Sequence, residues 1–277
     1  MNEIGIVGLV ILAVTFLVSY KGFKDSIYFD QHLFRIGDIL HRKEYQRLIS
    51  SGFLHAGWTH LLLNAATFYC FSGSIEEYLG FKNFLTIYFL SLVGGNLLSL
   101  FLHRHESGYT AVGASGAIAG LVFATIALYP GVEISLLALP YHIPGWLFGL
   151  LYVIISAYGI SVKRDYIGHD AHLGGGLVGL VTTVALQPEL LRTNYLAIGA
   201  ILLPACAFLY LLLKEPVTDS ASTRFSPLPL YQSVDDRYTS ERRKREEELD
   251  ELLDKISHKG LEGLSTREKK ELEELSR

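Results

Sequence analysis

The chain has 277 residues, and 24 Lys+Arg against 28 Asp+Glu give a net charge of −4, so composition offers no electrostatic grip on nucleic acid. The charge is unevenly placed: residues 1–214 carry 24 charged groups, about 11%, and residues 215–277 carry 28, about 44%, against a soluble norm near 25%. That excludes one ordinary soluble globule. Two cysteines, Cys70 and Cys206, stand far apart in apolar runs, which excludes a disulfide framework and reads as two small core hydrophobes.

In chain order, apolar runs long enough to span a hydrocarbon core as helices occur at Ile4–Tyr20, Gly57–Leu79, Phe84–Leu102, Ala111–Leu128, Pro144–Val162, Gly168–Leu186 and Tyr195–Leu213. They predict seven transmembrane helices. The first is expected to remain a helix rather than act as a signal peptide, because Met-Asn-Glu precedes it without a basic residue and no small-residue cleavage site follows. The connection Lys21–Ala56 interleaves Phe23, Tyr28, Phe29, Leu33, Phe34, Ile36, Ile39 and Leu40 with charges, a pattern suited to lying at the bilayer surface. Tyr129–Ile143 is a shorter apolar connection at the opposite face.

Beyond Pro216, Ser220–Pro229 reads as a disordered linker. Leu249, Leu252, Leu253 and Ile256 then recur at helical spacing, and Ser265-Thr-Arg-Glu268 reads as a capping box opening a second helix. The expected organisation is a six-helix core at 1–190, an additional transmembrane helix at 191–214, a flexible linker at 215–239 and a charged helical extension at 240–277. The fold class is all-α and polytopic, with a small soluble helical tail that could fold on binding a protein partner.

Polar groups at membrane depth are costly, so each is a candidate site. His55, His60 and Asn64 open the second apolar segment, Gly113-Ala114-Ser115-Gly116 opens the fourth, and His169-Asp170-Ala171-His172 opens the sixth. Alternating topology points these three segments the same way, and each polar group then lies roughly 6 to 10 Å below one surface. His60 and Asn64 share a helix face, as do His172, Gly175, Gly176 and Gly179. The pairs Gly116/Gly120 and Gly175/Gly179 predict a close crossing that would bring the Ser115 hydroxyl to the His172 imidazole, the minimum for nucleophilic catalysis. Asp170 falls on the opposite helix face from His172, which favours a Ser/His dyad over a triad. Oxyanion donors would be the Ser115 N–H with His60 and Asn64. His169 reads as a polar residue at the helix mouth.

These residues resemble the rhomboid intramembrane serine proteases. The resemblance rests on Gly-Ala-Ser-Gly with Ser115, on Ala171-His172-Leu-Gly-Gly, and on His55-x4-His60-x3-Asn64. It extends to Glu44-Tyr-Gln-Arg47 in the first connection and to Gly73, Glu76 and Gly80 at the far end of the second segment, covering about Ile4–Leu186. It implies Ser115 as nucleophile, His172 as base, His60 and Asn64 as oxyanion donors, and supporting roles for Gly113, Gly116, Arg47, Glu76 and Gly175. Implied, too, are cleavage of transmembrane protein substrates within the lipid bilayer, no metal or organic cofactor, and a bacterial plasma membrane as the setting. The tail looks like a C-terminal extension carried by some bacterial members. Family members often carry an aromatic four residues after the serine, packed on the histidine ring; here that position is Ala119, so another side chain must orient His172. Gln46 stands where a Trp is usual.

Charge placement conflicts with this resemblance. The catalytic face carries Lys21, Lys24, Arg35, Arg42, Lys43, Arg47, Arg104, Lys163 and Arg164 in its connections, the other face only Lys82 and Arg192. The positive-inside rule would make the catalytic mouth cytoplasmic, whereas the resemblance implies an extracytoplasmic one. Two alternatives remain open on sequence. One is an inactive relative that binds transmembrane clients; the other is a metal site or transporter built on His55, His60, His169, Asp170 and His172.

Overall fold

The computed structural model describes residues 4–135, 142–162 and 167–214, together with 255–256 and 265. The expectations for the linker, for the tail helices apart from residues 255–256 and 265, and for the basic pair Lys163/Arg164 lie outside the described residues. The chain divides into two units, Met1–Ser222 and Thr223–Arg277, and the fold described here is that of the first.

Hydrocarbon offers backbone groups no water, so the apolar runs satisfy their N–H and C=O groups within themselves as helices. α1 (Ile6–Lys24) runs one turn past the predicted end, with Lys21 and Lys24 placed at its negative pole. The long first connection is built of short elements: α2 (Ser26–His32), β1 (Phe34–Arg35), α3 (Ile36–His41), α4 (Arg47–Ser50) and a 3-10 turn at Ser51–Phe53. Many of its apolar side chains, Phe29, Leu33, Phe34, Ile36 and Ile39 among them, are buried in small cores of their own. Arg47 pins this segment: it is 3% exposed, donates to the carbonyls of Asp30 and Leu33 at 2.6 and 2.8 Å and to Glu44 at 2.7 Å, and pairs with Asp38 at 3.1 Å.

α5 (Trp58–Leu102) contains the second and third predicted segments, broken at Gly80 (φ 77°, ψ 160°). Its halves fold back on each other, the Phe68 ring lying 6.2 Å from Phe84 and 5.7 Å from Tyr88. One residue thus makes the reversal, in a backbone region where glycine alone is unstrained. Glu76, near that reversal, accepts hydrogen bonds from the Val7 and Gly8 N–H groups at 3.1 and 2.9 Å and so caps the start of α1.

β2 (Thr110–Ala111) pairs antiparallel with β1, and α6 (Ser115–Leu128) begins only after it. The predicted start at Ala111 is therefore early by four residues, because Thr110 and Ala111 are extended and Gly113 sits at φ 129°. At 14 residues α6 is roughly 21 Å long, shorter than the ~30 Å hydrocarbon core. Every α6 residue after Ser115 is buried, so it is the central helix. Then follow the hairpin β3 (Glu133–Ser135) and β4 (His142–Pro144), α7 (Gly145–Val162), α8 (His169–Leu186), α9 (Leu190–Thr193) and α10 (Tyr195–Lys214). Among the described helices α1, α5, α7 and α10 are long and apolar enough to cross a membrane.

α6 meets α8 through the predicted small residues. A Cβ at Gly175 would overlap the Gly116 carbonyl, and one at Gly179 would overlap the Gly120 backbone. Gly95 of α5 lies as close to the Ala171 carbonyl. Asn194, ahead of α10, donates to the Ala127 carbonyl at 2.8 Å and ties off the end of α6. The expectation for the cysteines fails in part: Cys70 is half-buried and Cys206 is exposed. The buried face of α10 carries Ala197, Ile198, Ile201 and Ala205, and Cys206 falls outside that stripe.

Candidate active site

The close approach of α6 and α8 fixes the site. Ser115 is the first residue of α6, and His172 lies in the first turn of α8, its N–H donating to the Gly168 carbonyl at 3.0 Å. Their side chains meet with Ser115 Oγ 2.7 Å from His172 Nε2, a hydrogen bond of ordinary length. Both residues are half-buried, so the pair is reachable from one end of the helix bundle.

α6 starts on Ala114 with no side-chain cap. Its first N–H groups, that of Ser115 included, carry the positive end of the helix dipole into the site without an intrahelical partner. Beside them stands His60: a Cβ placed on Gly113 would sit 2.8 Å from His60 Cε1, 2.9 Å from His60 Nε2 and 3.7 Å from Ser115 Oγ. Gly113 therefore makes room for the imidazole edge as well as supplying a φ that other residues avoid. Asn64, one turn deeper, donates its amide to the His60 carbonyl at 3.1 Å. It lines a small apolar void with Ile11, Phe68, Tyr88 and Ala114. Of the four predicted site residues, the structure gathers Ser115, His172 and His60 and leaves Asn64 as a backbone-bound neighbour.

Around these residues lies a second layer. His55 is fully buried, with Nδ1 2.9 Å from Ser19 Oγ and its ring edge-on to His60 at 4.9 Å; Ser19 in turn donates to the Phe53 carbonyl at 2.8 Å. Burial, with His60 beside it, lowers the His55 pKa to about 3, so the imidazole is neutral. The Tyr152 ring from α7 lies 6.2 Å from the His172 ring and is itself held edge-on by Phe123 at 5.5 Å. Where Ala119 leaves His172 without an aromatic from α6, α7 supplies one. His169 is buried against Gly159 rather than standing at a mouth, its ring filling the notch that glycine leaves. Asp170 reaches away from His172 to His103 and Tyr109. Of the supporting residues, Gly113 lies in the site and Gly116 and Gly175 form the crossing beneath it, whereas Arg47 and Glu76 secure the first connection and α1.

Fold and site together define a polytopic membrane protein that holds a serine–histidine hydrogen bond at the start of two tightly crossed helices. A family model described as the Rhomboid domain matches residues 42–189, just over half the chain, and the protein belongs to the rhomboid family. A second model, for a family of unknown function (DUF6576), matches residues 232–277. Rhomboid protein 1, mitochondrial, of Saccharomyces cerevisiae is 31% identical over 137 residues, 48% of this chain and 40% of its own length. RHOMBOID-like protein 12, mitochondrial, of Arabidopsis thaliana is 25% identical over 198 residues, 66% of this chain and 58% of its own length. The candidate rhomboid protease YdcA of Bacillus subtilis is 42% identical over 78 residues, 28% of this chain and 38% of its own length. The chain spans about half or less of the length of most of the curated relatives it matches.

Proposed function

We propose that the protein is an intramembrane serine endopeptidase that cuts transmembrane segments of other membrane proteins. The observation that carries this reading is the 2.7 Å contact between Ser115 Oγ and His172 Nε2 at the uncapped start of α6. A serine hydroxyl is a poor nucleophile unless a base accepts its proton as it attacks.

With His172 Nε2 unprotonated, Ser115 Oγ attacks the scissile carbonyl and its proton passes to Nε2. Negative charge collects on the carbonyl oxygen, where the Ser115 N–H and the His60 side chain are placed to receive it; Asn64 contributes by holding the turn that bears His60. Imidazolium then protonates the departing amine, leaving an acyl-enzyme that water opens by the same steps in reverse order. Water enters from the end of the bundle where these residues are half-buried. A substrate helix must unwind locally to expose its backbone, so small or helix-breaking residues near the cut favour cleavage. We assign the mouth to the extracytoplasmic side of a bacterial plasma membrane, the bacterial setting drawing on the similarity to YdcA of Bacillus subtilis, and treat residues 240–277 as a separate partner-binding extension.

Labelling by a fluorophosphonate probe tests the site without a known substrate. The wild type is expected to label, and Ser115→Ala and His172→Ala to lose the label; equal labelling of all three would end the proposal.

A further inference from the structure

Next to the serine–histidine pair lies a cluster of titratable groups that the chemistry above does not use. His103 caps the end of α5 and opens the loop that leads to Ser115. Its Nε2 is 3.3 Å from Asp170 Oδ2 and its Nδ1 3.1 Å from Glu106 Oε1. The Tyr109 ring stacks on the imidazole at 3.8 Å and 11°, and the Tyr109 hydroxyl reaches Asp170 Oδ2 at 3.5 Å. These are the charged and titratable groups facing His103: Asp170 from α8, and Glu106 and Tyr109 from the loop. Asp170 is 4% exposed and lies in the same helical turn as His172, whereas Glu106 is 45% exposed and gives the cluster a route to water.

We propose that the His103–Asp170 ion pair, roofed by Tyr109, is a positioning clamp that joins the loop preceding the nucleophile to the helical turn bearing the base, and thereby sets the Ser115–His172 distance. Three of the four members sit on residues 103–109, only six to twelve positions before Ser115, and the fourth is two residues before His172. Loss of the pair frees both approaches to the site at once and leaves a carboxylate buried without its cation. Burial alone would lower the His103 pKa, but Asp170 and then Glu106 outweigh it and the net shift is upward. The clamp's stabilisation is thus complete below the ordinary histidine value of about 6.5 and is lost as pH climbs through the raised folded value. This inference rests on the protease reading for its effect on rate, though not for the clamp itself.

Two measurements on the full chain separate the two. In the Ser115→Ala background the thermal midpoint is followed against pH, with and without His103→Gln and Asp170→Asn. The parent is expected to lose stability on the alkaline side, and either substitution to abolish that step; a parent with no step overturns the clamp whether or not any substrate is cut. In the active protein, kcat/KM for a transmembrane substrate is followed against pH. The acid limb belongs to protonation of the base and is expected to persist, while His103→Gln removes the alkaline limb and lowers kcat about tenfold below it, with KM little changed. The double variant is expected to be no slower than either single one, as for two halves of one contact. Unchanged profiles in both single variants, or fully multiplicative losses in the double, would refute a role in placing the dyad.

Discussion

Replacing Gly175 by alanine perturbs the crossing that places Ser115 against His172. A Cβ there would lie well inside contact distance of the Gly116 carbonyl, Cα and carbonyl carbon. All three are backbone atoms that no rotamer change can move. Restoring ordinary contact requires α6 and α8 to separate by about 1 Å, and a displacement of that size at a reacting pair costs on the order of 10²-fold in rate. Overpacking of this kind also costs about 1–3 kcal/mol in stability, so the variant is expected to fold, to melt lower and to cleave about a hundredfold more slowly. The same substitution at Gly199 of α10, where no atom lies within 4 Å of the added Cβ, serves as control. Thermal unfolding in detergent and cleavage kinetics for both variants measure the difference. If Gly175→Ala matches Gly199→Ala in both, the helix crossing does not set the site.

Other expectations follow from single contacts. His60→Ala should lower kcat by about 10²-fold or more, the range for losing one oxyanion donor, with an unchanged melting temperature; Asn64→Ala, one of whose amide N–H groups is committed to the His60 carbonyl, should cost distinctly less. An equal loss in both would put Asn64 in direct contact with the oxyanion. Arg47→Met leaves Asp38 with Arg35 and Arg42 but strips the Asp30 and Leu33 carbonyls of their buried donor, and should destabilise by about 1–3 kcal/mol, read as a drop in thermal midpoint. Tyr152→Phe should retain activity, whereas Tyr152→Ala should lower kcat more than it raises KM if the ring orients His172.

Legibility differed by physical cause. The helices were readable because hydrocarbon forces a long apolar run into one backbone solution. Ser115 and His172 were readable together because both lie early in segments that share a direction and carry matching small residues, which fixes depth and approach at once. Asn64 was legible only in part: its spacing from His60 gives the shared face, but the bond of its amide to the His60 carbonyl depends on rotamer and packing. Tyr152 carried no signal among many aromatics in apolar segments. The His103–Asp170 pair joins positions 67 residues apart, one of them in a loop with no periodicity, and only the fold brings them into contact. The charge conflict has a structural side as well: Arg35 and Arg42 pair with Asp38, Arg35 also with Asp30, and Arg47 with Asp38 and Glu44. Three of the basic residues that weigh against an extracytoplasmic mouth are thus committed to ion pairs within the first connection, which a count along the chain cannot reveal.

The most direct test of the central claim is cleavage of a single-span membrane protein co-reconstituted in liposomes with the wild type, Ser115→Ala or His172→Ala, with the products located by mass spectrometry. The wild type is expected to cut within or just beside the transmembrane segment and both variants to leave it intact. Products that persist in either variant, or a cut confined to soluble regions, would contradict it.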